Sequence, residues 1–297
     1  MLTAAAPTTT APQVHAPGST LHELHAHALQ QLGAQGLQQL TIRRAVLGLF
    51  FTGVELDNGA GGLCATPIKS IPQAVCCPSS AQAMPIPGKI AGRSVAEVLQ
   101  DLHRPQELRR ALAIATLNAV AETLWQRSGP PQGARVQEGE AFDQLAIGPA
   151  DRVVLVGAFP PYLRTLRRRA QPFHVLELDT SVLKPEELPF HVPPEQAGAV
   201  LAQADVLVTT GTTLVNGSLE ELLAPLRLGA QVAVIGPTAT LLAPPFARRG
   251  VSVVGGTRVR DARALLDVLA EGGSGYHFFG KSVDRVCLCL NQAAHEG

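Results

Sequence analysis

Two rhythms of apolar residues divide the chain near residue 148. Ahead of that point Leu21, Leu24, Ala28, Leu29 and Leu32 recur at helical spacing. Thr20 followed by Glu23 fits a capping box, in which hydroxyl and carboxylate satisfy orphan amides reciprocally, so the first helix is expected to begin at Thr20. The apolar run over residues 42–54 reads as a strand, Asp57-Asn58-Gly59 as a tight turn and residues 62–65 as the returning strand. Residues 94–102 and 105–126 read as helices, with Ser94 as N-cap, Glu97 three residues on, and Pro105 suited to a first turn. Residues 128–140 carry Gly129, Pro130, Pro131 and Gly133 and read as a linker.

Beyond the linker the rhythm changes. Continuous β-branched runs at 152–156, 173–178, 206–209, 231–235 and 251–254 alternate with helical patterns at 161–169, 194–203, 219–226 and 262–269, the last capped by Asp261. Strands apolar on both faces and separated by helices form a parallel sheet covered on both sides. The expected class is α/β: a small α+β unit over residues 18–147, then a Rossmann-like parallel-sheet domain over residues 148–297. Residues 1–17, rich in Ala, Thr and Pro, read as a disordered tail with neither the basic start nor the apolar centre of a secretory signal.

Composition removes several function classes. The 24 basic and 24 acidic side chains cancel, which argues against a general nucleic-acid binder. No apolar run reaches the ~18 residues that a membrane span needs. The five cysteines, Cys64, Cys76, Cys77, Cys287 and Cys289, make an odd count without a framework, which suits a reducing compartment; the expected location is the cytoplasm.

Ligands of open parallel sheets bind beyond the carboxyl ends of the strands, where the strand order reverses. Four loops fall there. The first, residues 157–161, is no dinucleotide fingerprint, because Phe159, Pro160 and Pro161 replace the glycines and prolines donate no amide. Glu177 follows Gly157 by twenty residues, the place of a ribose-binding acid. The loop from Thr210 through Gly211, Thr212, Thr213 and Asn216 to Ser218 crowds hydroxyls, an amide and glycines ahead of a helix, either to hold an anionic group or to cap that helix. Residues 236–240 form the fourth. In the first half, Glu55 and Asp57 alternate onto one face, as cation ligands, an acid–base pair or a solvated hairpin end. Cys287-x-Cys289, Cys76-Cys77 and the trio His22, His25 and His27 lack structural-zinc spacing and read better as small apolar residues and exposed helix-start histidines. Arg164, Arg167, Arg168 and Arg169 read as a solvated helix face.

At these residues the sequence resembles a known family. The segments Gly53-Val54-Glu55-Leu56-Asp57-Asn58-Gly59, Val156-Gly157-Ala158-Phe159-Pro160, Thr210-Gly211-Thr212-Thr213-Leu214-Val215-Asn216-Gly217 and Gly236-Pro237-Thr238 look like the DUF364 and DUF4213 pair, the heavy-metal chelation family. The resemblance implies an enolase N-terminal-like domain, a Rossmann-like domain and a site in the cleft between them. Carried over by position, the site takes in Glu55, Asp57, Phe159, Pro160, Glu177 and Thr210, Gly211, Thr212, Thr213 and Asn216. One departure is Thr238-Ala239-Thr240, where the family tends to show Ser-Thr-Pro.

Three readings follow. The first is a protein binding an anionic small molecule or a metal chelate between its domains, with a metal ion or chelate as the implied cofactor and Glu55 and Asp57 as the candidate metal ligands. The second is an enzyme acting on a nucleotide-like or phosphorylated substrate, with Glu177 on a ribose. The third is a non-catalytic partner protein, as a homodimer, in a metal-cofactor pathway. All three exclude nucleic acid and membrane as partners. Hydroxyls and carboxylates favour hard cations, so a soft metal would arrive with ligands of its own.

Overall fold

The structure, a computed structural model, describes residues 18–68 and 86–290. The expected tail and the Cys76-Cys77 pair lie outside them. The chain starts with helix α1 (Thr20–Gln39), followed by the strands β1 (Ile42–Leu47), β2 (Phe51–Leu56) and β3 (Gly61–Ala65), which pair in order as an antiparallel meander. The run expected to be one strand over residues 42–54 is therefore two. Its turn, at Gly48, Leu49 and Phe50, is closed by the Gly48 amide on the Phe51 carbonyl at 3.0 Å. The first helix is capped by Ser19, whose hydroxyl accepts from the His22 amide; the expected capping box is one residue out, and Glu23 instead pairs with Arg248 and Arg249. Ser94 caps α2 (Val95–Leu99) as expected, by accepting from the Glu97 amide.

The long helix α3 (Glu107–Ser128) lies against one face of the meander. Contact is close because β3 presents Gly62 there: a Cβ at that position would stand 2.2 Å from the Ala115 carbonyl oxygen and 2.3 Å from the Ala119 amide nitrogen. The opposite face is covered by α9 (Ala262–Ala270), from the far end of the chain, through Leu265, Leu266 and Leu269. Asp261 caps that helix by accepting from the Ala264 amide.

The second sheet has seven strands in the order β4-β10-β9-β8-β7-β5-β6. Five are parallel: β5 (Val153–Val156), β6 (Phe173–Leu176), β7 (Val206–Thr210), β8 (Gln231–Ile235) and β9 (Val253–Val259). The last two, β4 (Ala134–Gln137) and β10 (Val283–Leu290), extend the sheet antiparallel. Alternate residues of each strand feed two cores. Val154, Leu207, Val232, Val234 and Val254 face the core shared with α1, α2 and α3. Val153, Leu155, Val208, Ile235 and Cys287 face another, with Phe142, Tyr162 and Leu163. The segment read as a linker thus contributes the edge strand β4, and β10 stands where only a thiol pair was noted.

Along the parallel strands β5 is the central start: the chain goes to β6 on one side, then crosses back to β7 on the other. The order therefore reverses between β5 and β7. In a doubly wound sheet that point opens a crevice beyond the carboxyl ends, because the flanking loops leave to opposite faces.

Candidate functional site

Three strand ends meet at the crevice. Gly157 ends β5 with φ +97°, a left-handed conformation that side chains rarely adopt, and an added Cβ would lie 3.2 Å from Thr210 Cγ2. Glu177 follows β6. Its carboxylate accepts from the Ala158 amide through Oε2 and the Asp179 amide through Oε1, both at 3.0 Å. It thereby ties the first loop to the second. After β7, the Thr210 hydroxyl accepts from the Thr212 amide at 3.3 Å and the Thr212 hydroxyl at 3.1 Å. The Thr213 hydroxyl donates to the Thr210 carbonyl at 2.8 Å, and Asn216 Oδ1 accepts from both the amide and the hydroxyl of Ser218. Much of the loop's polarity therefore closes its own turns. Two acceptances leave the Thr210 hydroxyl proton as a donor at the wall.

These groups line a cavity of about 380 Å³, within the usual range for small-molecule sites. Leu176, Leu178, Val192, Pro194, Leu201 and Leu222 make its apolar wall. Among the described residues its charged lining is Glu177 and Glu221, with no Lys or Arg. An anionic head would meet like charge there. The loop is braced from the first half of the chain. Arg110 of α3, itself buried, donates to the Val215 and Arg104 carbonyls, and the Thr20 amide donates to Glu220 beside the cavity wall.

Of the expected site residues, the cavity brings together Glu177, Thr210, Thr212, Thr213 and Asn216; Gly211 sits buried in the same loop. Phe159 and Pro160 instead line a second cavity of about 260 Å³ on the other face of the sheet, with Glu140, Tyr162, Gly236 and Pro237. There Phe159 and Phe142 both stack on Tyr162, at 5.3 and 4.5 Å between centroids, and burial followed by the nearby Glu140 carboxylate pushes the Tyr162 phenol up.

Glu55 and Asp57 reach neither cavity. Glu55 is buried on the α9 face of the meander, with Oε1 3.0 Å from Arg43 Nη1 and 3.8 Å from Arg263 Nε. Asp57 is exposed and accepts from the Thr41 hydroxyl at 3.0 Å. The meander and α3 stand between Glu55 and the threonine loop. Two guanidinium groups already neutralise Glu55, which leaves the pair ill-suited to a cation. Among the described residues, no group of three or more His, Cys, Asp or Glu is placed to hold a metal ion.

The other soft-ligand candidates are also engaged. Burial raises the Cys64 thiol to about 12, and burial followed by the neighbouring Cys289 does the same to Cys287; neither is a thiolate at neutral pH. His25 is not an exposed helix-start residue: its Nδ1 lies 3.0 Å from His103 Nε2, with the rings stacked. Thr238, in the loop that departs from the family pattern, is buried, and its hydroxyl accepts from the Ala65 amide at 2.9 Å. That loop docks β3.

The sequence reading missed the apolar wall, Gly198 and Glu221. They come from separate elements, and no spacing in the sequence links them to the threonine loop.

Family models match both halves: DUF364, described as "Putative heavy-metal chelation", over residues 140–287, and DUF4213, with the same description, over residues 29–121. The chain belongs to the DUF364/DUF4213 family. Two crystal structures of DUF364-family proteins of unknown function share its fold. The one from Pyrococcus horikoshii has a TM-score of 0.70 at 18% identity, covering 91% of this chain and 100% of that one. The one from Desulfitobacterium hafniense DCB-2 has a TM-score of 0.66 at 19% identity, covering 91% of this chain and 98% of that one. No curated protein matches the sequence. Among the described residues of this DUF364/DUF4213 protein, no helix is long and apolar enough to cross a membrane.

Proposed function

We propose that this protein binds a small organic molecule in the switch-point cavity, and that in the setting of heavy-metal chelation the molecule is a chelator or its metal complex. The reading is carried by one observation: Gly157, Glu177 and the Thr210–Asn216 loop, from three different strand ends, line a single cavity with an apolar wall. Two carboxylates and, among the described residues, no cation in the lining favour a neutral or cationic ligand over the anionic one expected from the loop alone. The metal would keep the ligands of its chelator, since hydroxyls and two separated carboxylates make a poor cage for a soft ion. In this reading the parallel-sheet half is the Rossmann-like domain, and the enolase N-terminal-like half acts as its brace through Arg110.

Gly198, in helix α5 (Ala197–Leu201), lines the cavity, and a Cβ there would meet nothing within 4 Å. Gly198→Phe therefore sets a large side chain at the cavity lining without colliding at its root. Calorimetric titration with the neutral bis-histidine complex of nickel(II) should give saturable heat with the wild type and none with Gly198→Phe. Equal heats would place binding elsewhere.

A further inference from the structure

The cavity's charge, wall and position narrow its ligand further, an argument that rests on the small-molecule reading above. We infer that the ligand carries a nucleoside-type part: a vicinal diol on Glu177, a flat base against Leu178, and no phosphate. Three observations carry this. First, the Glu177 carboxylate is fixed in direction by the Ala158 and Asp179 amides, one on each oxygen at 3.0 Å. A carboxylate has about four acceptor positions, so each oxygen keeps one free, and the two form a preset pair for two adjacent hydroxyls. The acid stands at the end of the strand next to the switch point, where doubly wound sheets meet a ribose.

Second, Leu178 is 82% exposed at the cavity rim, directly after that acid. Folding leaves it uncovered, while Val192, Pro194 and Leu201 make the wall beside it. An apolar lip of this kind suits the face of an aromatic base. Third, the lining suits a phosphate poorly. The Ala158 amide beside it is taken by Glu177, and Glu221 adds a second negative charge to a lining that, among the described residues, has no Lys or Arg.

The test is calorimetric titration of the full chain with adenosine, guanosine, cytidine and uridine, then with the 2′,3′-dideoxy form and the 5′-monophosphate of the best binder. At least one nucleoside should bind saturably. Its dideoxy form should bind tenfold or more weakly, and its monophosphate more weakly than the nucleoside. Glu177→Gln, checked for folding by its thermal midpoint, should abolish the difference between nucleoside and dideoxynucleoside. A dideoxy form that binds as well on the wild-type chain, or a monophosphate that binds more tightly, overturns the inference whatever the variant does. Heat from the nickel bis-histidine complex with none from any nucleoside overturns this inference and leaves the small-molecule reading standing. Heat from neither overturns both.

Discussion

Removing either partner of the Glu122–Arg258 pair should loosen the joint between the two halves of the chain. Glu122 lies on α3 and Arg258 on β9. Arg258 Nε donates to Oε2 at 2.9 Å and Nη2 to Oε1 at 2.7 Å, and the side chains are 4% and 12% exposed. The guanidinium carbon also lies 4.5 Å from the centroid of the Trp125 ring. Breaking a buried pair from one side costs about 3–5 kcal/mol, because a charge is left without its partner. Arg258 keeps the indole face, worth about 0.5–2 kcal/mol, so Glu122→Leu belongs near the lower end, about 3 kcal/mol. Arg258→Met leaves the Glu122 carboxylate with the Gln126 amide at 3.1 Å and the charge of Arg260, and belongs nearer the upper end. Glu122→Leu with Arg258→Met removes both charges and restores apolar volume, so it should cost far less than the two single changes together. Urea unfolding reads all four proteins. Circular dichroism is the better probe, since the chain's one tryptophan sits at the mutated contact. If the double variant's loss equals the sum of the single losses to within about 0.5 kcal/mol, the two groups do not interact and the joint is held by something else.

Two other outcomes follow from the same geometry. Gly62→Ala sets a methyl against α3 backbone that no rotamer change can move, so it should cost about 3 kcal/mol or more in unfolding free energy; a loss under about 1 kcal/mol would mean that the helix is not so close. His25 is held neutral, with its pKa lowered to about 4, first by burial and then by His103 and His22. The unfolded chain takes up a proton near 6.5, so this contribution to stability is complete above that pH and is lost as the pH falls from about 6.5 to about 4. His25→Leu should flatten urea midpoints across that window relative to the wild type, and parallel curves would refute the assignment.

Much of the cavity lining was legible because parallel strands read plainly as β-branched runs, and the carboxyl-end rule then names the loops. Glu177 and Thr210 were found in this way. The hairpin carboxylates lie away from that cavity, since strand alternation tells which residues share a face but not what covers it. Glu55 shares its face with Gly53 and Gly61, and that face turned out to meet α9, a helix some two hundred residues later. The turn at Leu49 and Phe50 carried no polar signal, since both residues are apolar although exposed. Strand β10 was hidden because Asp284 and Arg285 interrupt its apolar pattern, while β4 follows directly on a glycine- and proline-rich stretch.

Native mass spectrometry of freshly purified wild type and Gly198→Phe, side by side, tests the binding site most directly. The account predicts a small-molecule adduct on the wild type that is absent from Gly198→Phe, with the thermal midpoint of the variant unchanged. An adduct of the same mass and occupancy on both proteins would contradict it.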